Sequence, residues 1–406
     1  MNKPLRVGCI GGGMIVNAAH LPAFVELSEE VILTAIYSTD EKTAAHTRQN
    51  YLDQMAAAGK EVTWDVVVCA VVEELFTLVD LVDICTPNRY HAYYSELALA
   101  AGIHTMCEKP IARNWLEADR LEKAAAKSGA LYQLNDDNVF LPRYIHIKNI
   151  VASGAIGEVT NIILPRGTSS SGRSDWFFDP ISGGGAILDY GSHAVMGAWF
   201  LLGLDKIPRE VRSVCMRVKD RTRFVNGKLI DIETDDDAHF RVLFEDPKNG
   251  DFITALIEAT WSWPDFASNA SDARGYIRID GTEGTITSYF DEEDREFVRV
   301  EGLAAGERLI PIESYRSETL SFRDEIINFI HCIRNGTQSM IDARCGVVTM
   351  QIIGAAQLSE LRGRKSVGFD ELEAFQKSFD DGSGDMLKIG DAIALEVTKP
   401  YRLPQK

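Results

Sequence analysis

The chain predicts a doubly wound parallel α/β sheet followed by an α+β domain, and three observations carry that fold class. Short apolar runs separated by helix-length segments fill residues 1–137, the pattern of a parallel sheet with helices on both faces. The first of these runs ends in three consecutive glycines, Gly11 to Gly13. After Asn138 the alternation gives way to a series of strand-like runs separated by turns, which predicts a mostly antiparallel, open second sheet.

Leu5 to Ile10 reads as a short buried strand. It runs directly into the glycines and then into a helical stretch reaching about Glu26. Strand, glycine turn and helix in that order form a site where a dinucleotide pyrophosphate can approach the backbone. Gly11, Gly13, Met14 and Ile15 are the candidate cofactor contacts there. A complete G-x-G-x-x-G would place a small residue at position 16, where the chain has Val16. Val31 to Tyr37 is the second strand. Its end carries Ser38 and Thr39 where NAD-binding units place an acid on the ribose hydroxyls; Asp40 follows slightly late, and Lys42 is the nearest cation. NAD and NADP therefore both stay open.

Leu81 to Cys85 is a further strand, ending in Thr86, Pro87 and Asn88, with His91 just beyond. Ile103 to Cys107 is another, ending in Glu108, Lys109 and Pro110, and Leu131 to Leu134 closes the series. Ligands of such sheets lie at the carboxyl ends of the strands. Thr86, Pro87, Asn88, His91, Glu108 and Lys109 are accordingly cofactor candidates.

Gly183 to His193, GGGAILDYGSH, is the densest chemical segment. Asp189 and His193 are four residues apart, so a helix presents both from one face. The following AVMGAWFLLG is apolar on nearly every side, which predicts a buried helix. The three glycines before it offer a backbone that a ligand can approach. The polar segment 166–182 precedes this helix as a candidate substrate lid, with Arg166, Arg173 and Trp176 as candidate substrate contacts. A flat apolar ring such as Trp176 suits the C–H face of a sugar. The acidic run Asp231 to Asp237 reads as a solvated loop, since the glycine and terminal glutamate of a calcium loop are missing. Amphipathic helices are expected near Phe322–Arg334 and Arg344–Leu361. Residues 371–406 receive no role.

The chain has 406 residues, a formal net charge of −18 and a pI of about 4.9. An acidic surface repels phosphate backbones, which argues against nucleic acid as a partner. No apolar stretch reaches the length of a membrane span, and no signal-peptide pattern opens the chain. Seven scattered cysteines without a C-x-x-C read as reduced core residues of a cytoplasmic protein. Asp189 and His193 have no third ligand at recognisable spacing, so no metal is expected there.

The segments GGGMIVNAAH at 11–20, VDICTPNRYH at 82–91, EKP at 108–110, SDWFFDPISGGGAILDYGSH at 174–193 and IDGTEGTI at 279–286 together resemble the Gfo/Idh/MocA family of NAD(P)-dependent oxidoreductases. The likeness extends over residues 5–370. The resemblance implies an N-terminal Rossmann domain over 1–137 and a substrate-binding and oligomerisation domain over 138–370. It also implies an NAD(P) cofactor and hydride transfer to or from a carbinol carbon of a sugar, cyclitol or glycoside. Carried over, the family's reacting groups are Lys109, Asp189 and His193. His193 suits a general base because an imidazole titrates near neutrality; Lys109 as the acid–base group, with His193 orienting, is the alternative. A small-molecule carbohydrate is the expected partner, with a homodimer or homotetramer formed through the open face of the second sheet. Two other functions remain open: an NAD-dependent glycosidase of the same fold that works by transient oxidation and elimination, and a non-catalytic cofactor-binding regulator.

Overall fold

A computed structural model describes residues 3–169, 174–225, 227–263, 276–291, 293, 295–303, 306–312 and 319–402. The chain divides into two compact units: residues 1–112, 117–140 and 315–347 form the first, and 113–116, 141–314 and 348–406 the second.

The first unit holds β1 (Leu5–Ile10), α1 (Leu21–Glu26), β2 (Val31–Tyr37), α2 (Glu41–Ala57), β3 (Val67–Val68), α3 (Val72–Phe76), β4 (Leu81–Ile84), α4 (His91–Ala100), β5 (His104–Glu108), α5 (Trp115–Ser128) and β6 (Tyr132–Asn135). The strands form one sheet in the order β3-β2-β1-β4-β5-β6, and every pairing is parallel. The strand order reverses beside β1, and the carboxyl ends on either side of that switch point are where such sheets hold ligands. Helices cover both faces, so β4 is buried along its whole length and β1 along its last four residues.

The second unit opens with α6 (Pro142–Ala152), β7 (Val159–Gly167) and α7 (Ala186–Leu201). After β7 come β8 (Ile207–Arg217), the separate hairpin β9 (Thr222–Val225) and β10 (Lys228–Asp231), β11 (Asp237–Glu245), β12 (Phe252–Thr260), β13 (Arg278–Gly281), β14 (Gly284–Phe290), β15 (Glu296–Gly302) and β16 (Gly306–Ile312). The chain then runs through α8 (Thr319–Asn335) and α9 (Ala343–Leu361) to β17 (Val367–Gly368), α10 (Phe369–Lys377) and α11 (Met386–Val397). The large sheet has the order β16-β15-β14-β13-β7-β12-β11-β8-β17. Only β7 with β12 is parallel within it; the other pairings are antiparallel. The predicted fold class, an N-terminal doubly wound parallel sheet plus an α+β part with a mostly antiparallel sheet, is the observed one.

Helix α8 packs with the first unit. Ile326, Phe329 and Ile330, one apolar stripe at helical spacing, join Val7, Leu21, Phe24, Leu33 and Tyr51 in a single core. Residues 371–406, for which the sequence offered no role, build part of the second unit. Ile389, Ile393 and Val397 of α11 bury against Leu116, Leu361, Phe375 and Phe379. Arg113 pairs with Asp391, and Arg221 donates to the carbonyl of Tyr401.

The acidic run contradicts its expectation of a solvated loop. Asp235, Asp236 and Asp237 are all buried, because each carboxylate has donors aimed at it. Asp236 accepts from the amides of Lys219 (2.6 Å) and Asp220 (3.0 Å) and from Arg223 (2.9 Å). Asp237 pairs with Arg217 at 2.8 Å and Lys219 at 3.0 Å. All seven cysteines are free thiols, and all but Cys215 are buried.

Candidate functional site

In the first unit the candidate site is the row of strand ends. Gly11 sits at φ +100° and lies so close to β4 that a Cβ would stand 2.6 Å from the Cys85 carbonyl oxygen. Only glycine satisfies both the left-handed backbone and that approach. Gly13 faces open space, with nothing within 4 Å of a notional Cβ, and Met14 beside it is 62% exposed. The next turn, Val16 to His20, is a π-helical segment, a feature frequent at functional sites. Val16 points into the core and is fully buried, so its size has no bearing on the open side of the turn. Asn17 donates from its side chain to the carbonyls of Gly12 (3.0 Å) and Gly13 (2.8 Å), fixing the loop.

Ser38 and Thr39 follow β2, and Ser38 accepts from the amide of Asp40 at 3.3 Å. Asp40 caps α2, taking the amide of Lys42 (3.2 Å) and the hydroxyl of Thr43 (2.7 Å). These bonds to its charged form hold its carboxyl below the usual range. At the end of β4, Thr86 has a buried hydroxyl with no partner among the described residues, and Pro87 and Asn88 lead into a short 3₁₀ turn. His91 lies with its two ring nitrogens each 2.7 Å from a carbonyl, one of Pro110 and one of Thr86. Burial lowers its pKa, and the ring staples the β4 end to the β5 end. Glu108 closes β5, nearly buried, and half-buried Lys109 donates its amide to Asn135 at 3.0 Å.

Behind these ends lies a polar cluster that sequence spacing did not reveal. His20 Nδ1 is 2.7 Å from Asp83, and its Nε2 is 3.1 Å from Glu108. Burial alone would lower the pKa of this imidazole, but the adjacent Asp83 carboxylate and the Cys85 sulfur outweigh it and hold it well above its ordinary value. Glu325, from α8, is fully buried beside them.

In the second unit the candidate site is α7. Every residue of this helix except Tyr190 is buried, as its apolar sequence predicts. Asp189 is 4% and His193 7% exposed. The glycines ahead of α7 serve packing as well as backbone freedom. A Cβ on Gly183 would meet the Phe177 carbonyl at 2.3 Å, and one on Gly185, at φ +95°, would meet Asp235 at 2.3 Å. Gly185 has no side chain with which to cap the helix, and Asp235 does so instead. Its Oδ2 accepts from the amide of Ile187 at 2.9 Å and its backbone carbonyl from Ala186 at 3.0 Å. Burial, then Asp236, pushes the Asp235 carboxyl up to about 8.

Trp261, just past β12, is the residue the sequence did not single out. Its indole N–H donates to Asp189 Oδ2 at 2.8 Å, and the ring is fully buried. Phe178 packs edge-on against it at 5.0 Å. A tryptophan after a strand has no sequence feature that marks it as a donor to a helix 72 positions away. Trp176 stacks on Phe177 at 3.9 Å and is half-buried. Arg166 is 3% exposed on β7. Arg173 lies outside the described residues.

These two units match known families in order. The oxidoreductase family with an NAD-binding Rossmann fold matches residues 5–136, and the GFO/IDH/MocA C-terminal domain matches residues 144–287. The chain therefore belongs to the Gfo/Idh/MocA oxidoreductases, and its first unit is an NAD(P)-binding Rossmann domain. Among curated proteins it is 26% identical over 209 residues to D-glucoside 3-dehydrogenase of Escherichia coli, covering 51% of this chain and 56% of that one. It is 27% identical over 239 residues to levoglucosan dehydrogenase of Pseudarthrobacter phenanthrenivorans, covering 53% and 57%. The chain thus spans little more than half the length of these relatives. A structure of levoglucosan dehydrogenase in complex with NADH and L-sorbose superposes with a TM-score of 0.75 at 20% identity, over 91% of this chain and all of that one. Among the described residues, no helix is long and apolar enough to cross a membrane.

Proposed function

We propose that this protein is an NAD(P)-dependent dehydrogenase or reductase that moves a hydride between nicotinamide and a carbinol carbon of a sugar, cyclitol or glycoside. The observation that carries the reading is the Asp189–His193 pair, buried one turn apart on α7 in a chain of this family. Two ionisable side chains in an apolar helix cost folding free energy that a purely structural helix avoids.

The residues of the first unit fit the cofactor. Gly11 leaves the backbone bare where a Cβ would collide, Gly13 opens outward, and the Thr86 hydroxyl is buried without a partner among the described residues. Gly11, Gly13, Met14 and Ile15 would hold the pyrophosphate. Ser38 and Thr39 would face the ribose, and Thr86, Pro87, Asn88, His91 and Glu108 would line the path to the nicotinamide. Asp40, the acid after β2, is engaged in capping α2, so NAD and NADP both enter the test. When bound, the nicotinamide supplies the hydride acceptor or donor.

The chain's own residues handle the proton and the charge. His193 takes the hydroxyl proton on its imidazole, and Asp189, held by Trp261, orients the hydroxyl. Lys109 places a cation beside the developing alkoxide. The exchange of roles between Lys109 and His193 is the second form of the same mechanism. Arg166, Arg173 and Trp176 would bind the sugar. Exposed Val214, Leu256 and Leu309 on the large sheet support a homodimer or homotetramer, which light scattering tests. We place the protein in the cytoplasm, on its free buried thiols.

The test is a spectrophotometric screen of NAD and NADP against sugars, cyclitols and glycosides. Net NAD(P)H formation with a carbohydrate supports the proposal. Sugar release without net reduction would favour the glycosidase, and no turnover with tight cofactor binding the regulator.

A further inference from the structure

The cluster beneath the β5 end has the composition of a metal centre. A ring nitrogen of His20, a Glu108 oxygen and a Glu325 oxygen all lie within 4.8 Å of one another, and all three residues are buried. They come from the π-helical turn after the glycines, from the end of β5 and from α8. Three further facts separate this group from an ordinary buried ion pair.

First, among the described residues neither carboxyl oxygen of Glu325 has a hydrogen-bond partner, and the residue is fully buried. A buried carboxyl group with nothing to satisfy either oxygen is costly and calls for an unseen partner. Second, His20 is already oriented as a ligand. Asp83 takes its Nδ1 at 2.7 Å, which is the carboxylate–histidine arrangement that fixes a metal-binding imidazole. Third, the spacing of His20 and Glu108 is that of two ligands on one ion. His20 Nε2 and Glu108 Oε1 are 3.1 Å apart; an ion about 2.0–2.1 Å from each would see them at an angle of roughly 100°, close to tetrahedral.

We propose that His20, Glu108 and Glu325 bind one divalent transition-metal ion of the Zn²⁺ type, with Asp83 supporting His20 from behind. One nitrogen and two carboxylate oxygens form a ligand set that suits zinc. The ion takes the place of the proton held between His20 and Glu108, and its two positive charges offset the two carboxylates. It ties the cofactor turn, the β5 end and α8 together within the first unit, a structural role distinct from the hydride chemistry. The inference stands apart from the proposed reaction, and its test does not use turnover.

Tag-free protein purified without chelator is assayed for metals by plasma mass spectrometry, then stripped with dipicolinate and titrated with Zn²⁺ or Mg²⁺ while its thermal midpoint is followed. One zinc per chain is expected, with a lower midpoint after stripping that Zn²⁺ restores and Mg²⁺ does not. Asp83→Asn should weaken zinc binding by about 10–100-fold, and Glu325→Gln should abolish it. Glu325→Gln keeps the side-chain length and removes a buried acid, so it should fold at least as well as the stripped parent; circular dichroism checks this. Substoichiometric metal with no midpoint response to Zn²⁺ overturns the proposal, because a proton or water then fills the cluster. Zinc binding that survives Glu325→Gln at parental affinity overturns it equally.

Discussion

The hydrogen bond from Trp261 to Asp189 offers the cleanest perturbation of the candidate site. Trp261→Phe removes the indole N–H and keeps an aromatic ring against Phe178, now 5.0 Å away edge to face, and near Phe177 at 6.5 Å. The lost bond is short, 2.8 Å, and both partners are buried. Water therefore cannot readily replace the donor. A hydrogen bond to a charged group contributes about 1.5–3 kcal/mol, which is roughly 10–150-fold in an equilibrium. If Asp189 must be held to orient the substrate, kcat should fall by about tenfold or more while cofactor affinity stays at the parental value. The assay is steady-state nicotinamide absorbance on the parent, Trp261→Phe, Asp189→Ala and the double variant. Once Asp189 is gone the indole has no carboxylate to hold, so the second substitution should then change kcat little. Equal losses in both backgrounds would show that the ring packing matters and the hydrogen bond does not. A folded Trp261→Phe protein with parental kcat would refute the reasoning outright.

His193→Ala and Lys109→Ala should each lower kcat by about 10²–10⁴ with cofactor binding retained, and the double variant should fall short of the product of the two losses; unchanged turnover in folded, cofactor-saturated His193→Ala would remove the proposed base. Gly13→Asp should fold normally, since the position faces open space, yet weaken NAD(H) and NADP(H) in a fluorescence titration; parental affinity would misplace the pyrophosphate. Gly11→Ala should instead lower the thermal midpoint, because its Cβ meets the Cys85 carbonyl at 2.6 Å. Asp235, with its carboxyl pushed up to about 8, stabilises the fold when protonated. That contribution is complete below the ordinary carboxyl pKa and drains away as pH rises toward 8, by about 1.4 kcal/mol per unit. Asp235→Asn fixes the neutral form, so its thermal midpoint should gain on the parent steadily between about pH 5 and pH 8; a constant difference across that range would contradict the assignment.

What the sequence determined by itself was local. The order strand, glycine turn, helix at 5–26 needs only contiguous residues, and so does the run of βα units that defines the parallel sheet. The burial of α7 and the shared face of Asp189 and His193 follow from helical periodicity and an apolar surround. Each of these is a property of neighbours along the chain. Tertiary structure decided what distant residues bring to the same place. Asp231 to Asp237 has the composition of a solvated loop, yet three of its acids are buried, because Ile187 supplies a donor to Asp235, and Lys219, Asp220, Arg217 and Arg223 supply donors to Asp236 and Asp237, that no local pattern announces. The glycines before α7 look like an opening for a ligand; folding sets Phe177 and Asp235 against them. Trp261 reaches Asp189, and Glu325 comes to lie beside His20 and Glu108, only because separate elements pack. A buried polar group is stable only where its partner arrives. Periodicity along the chain carries information about which side of an element is apolar, and none about which distant side chain will face it.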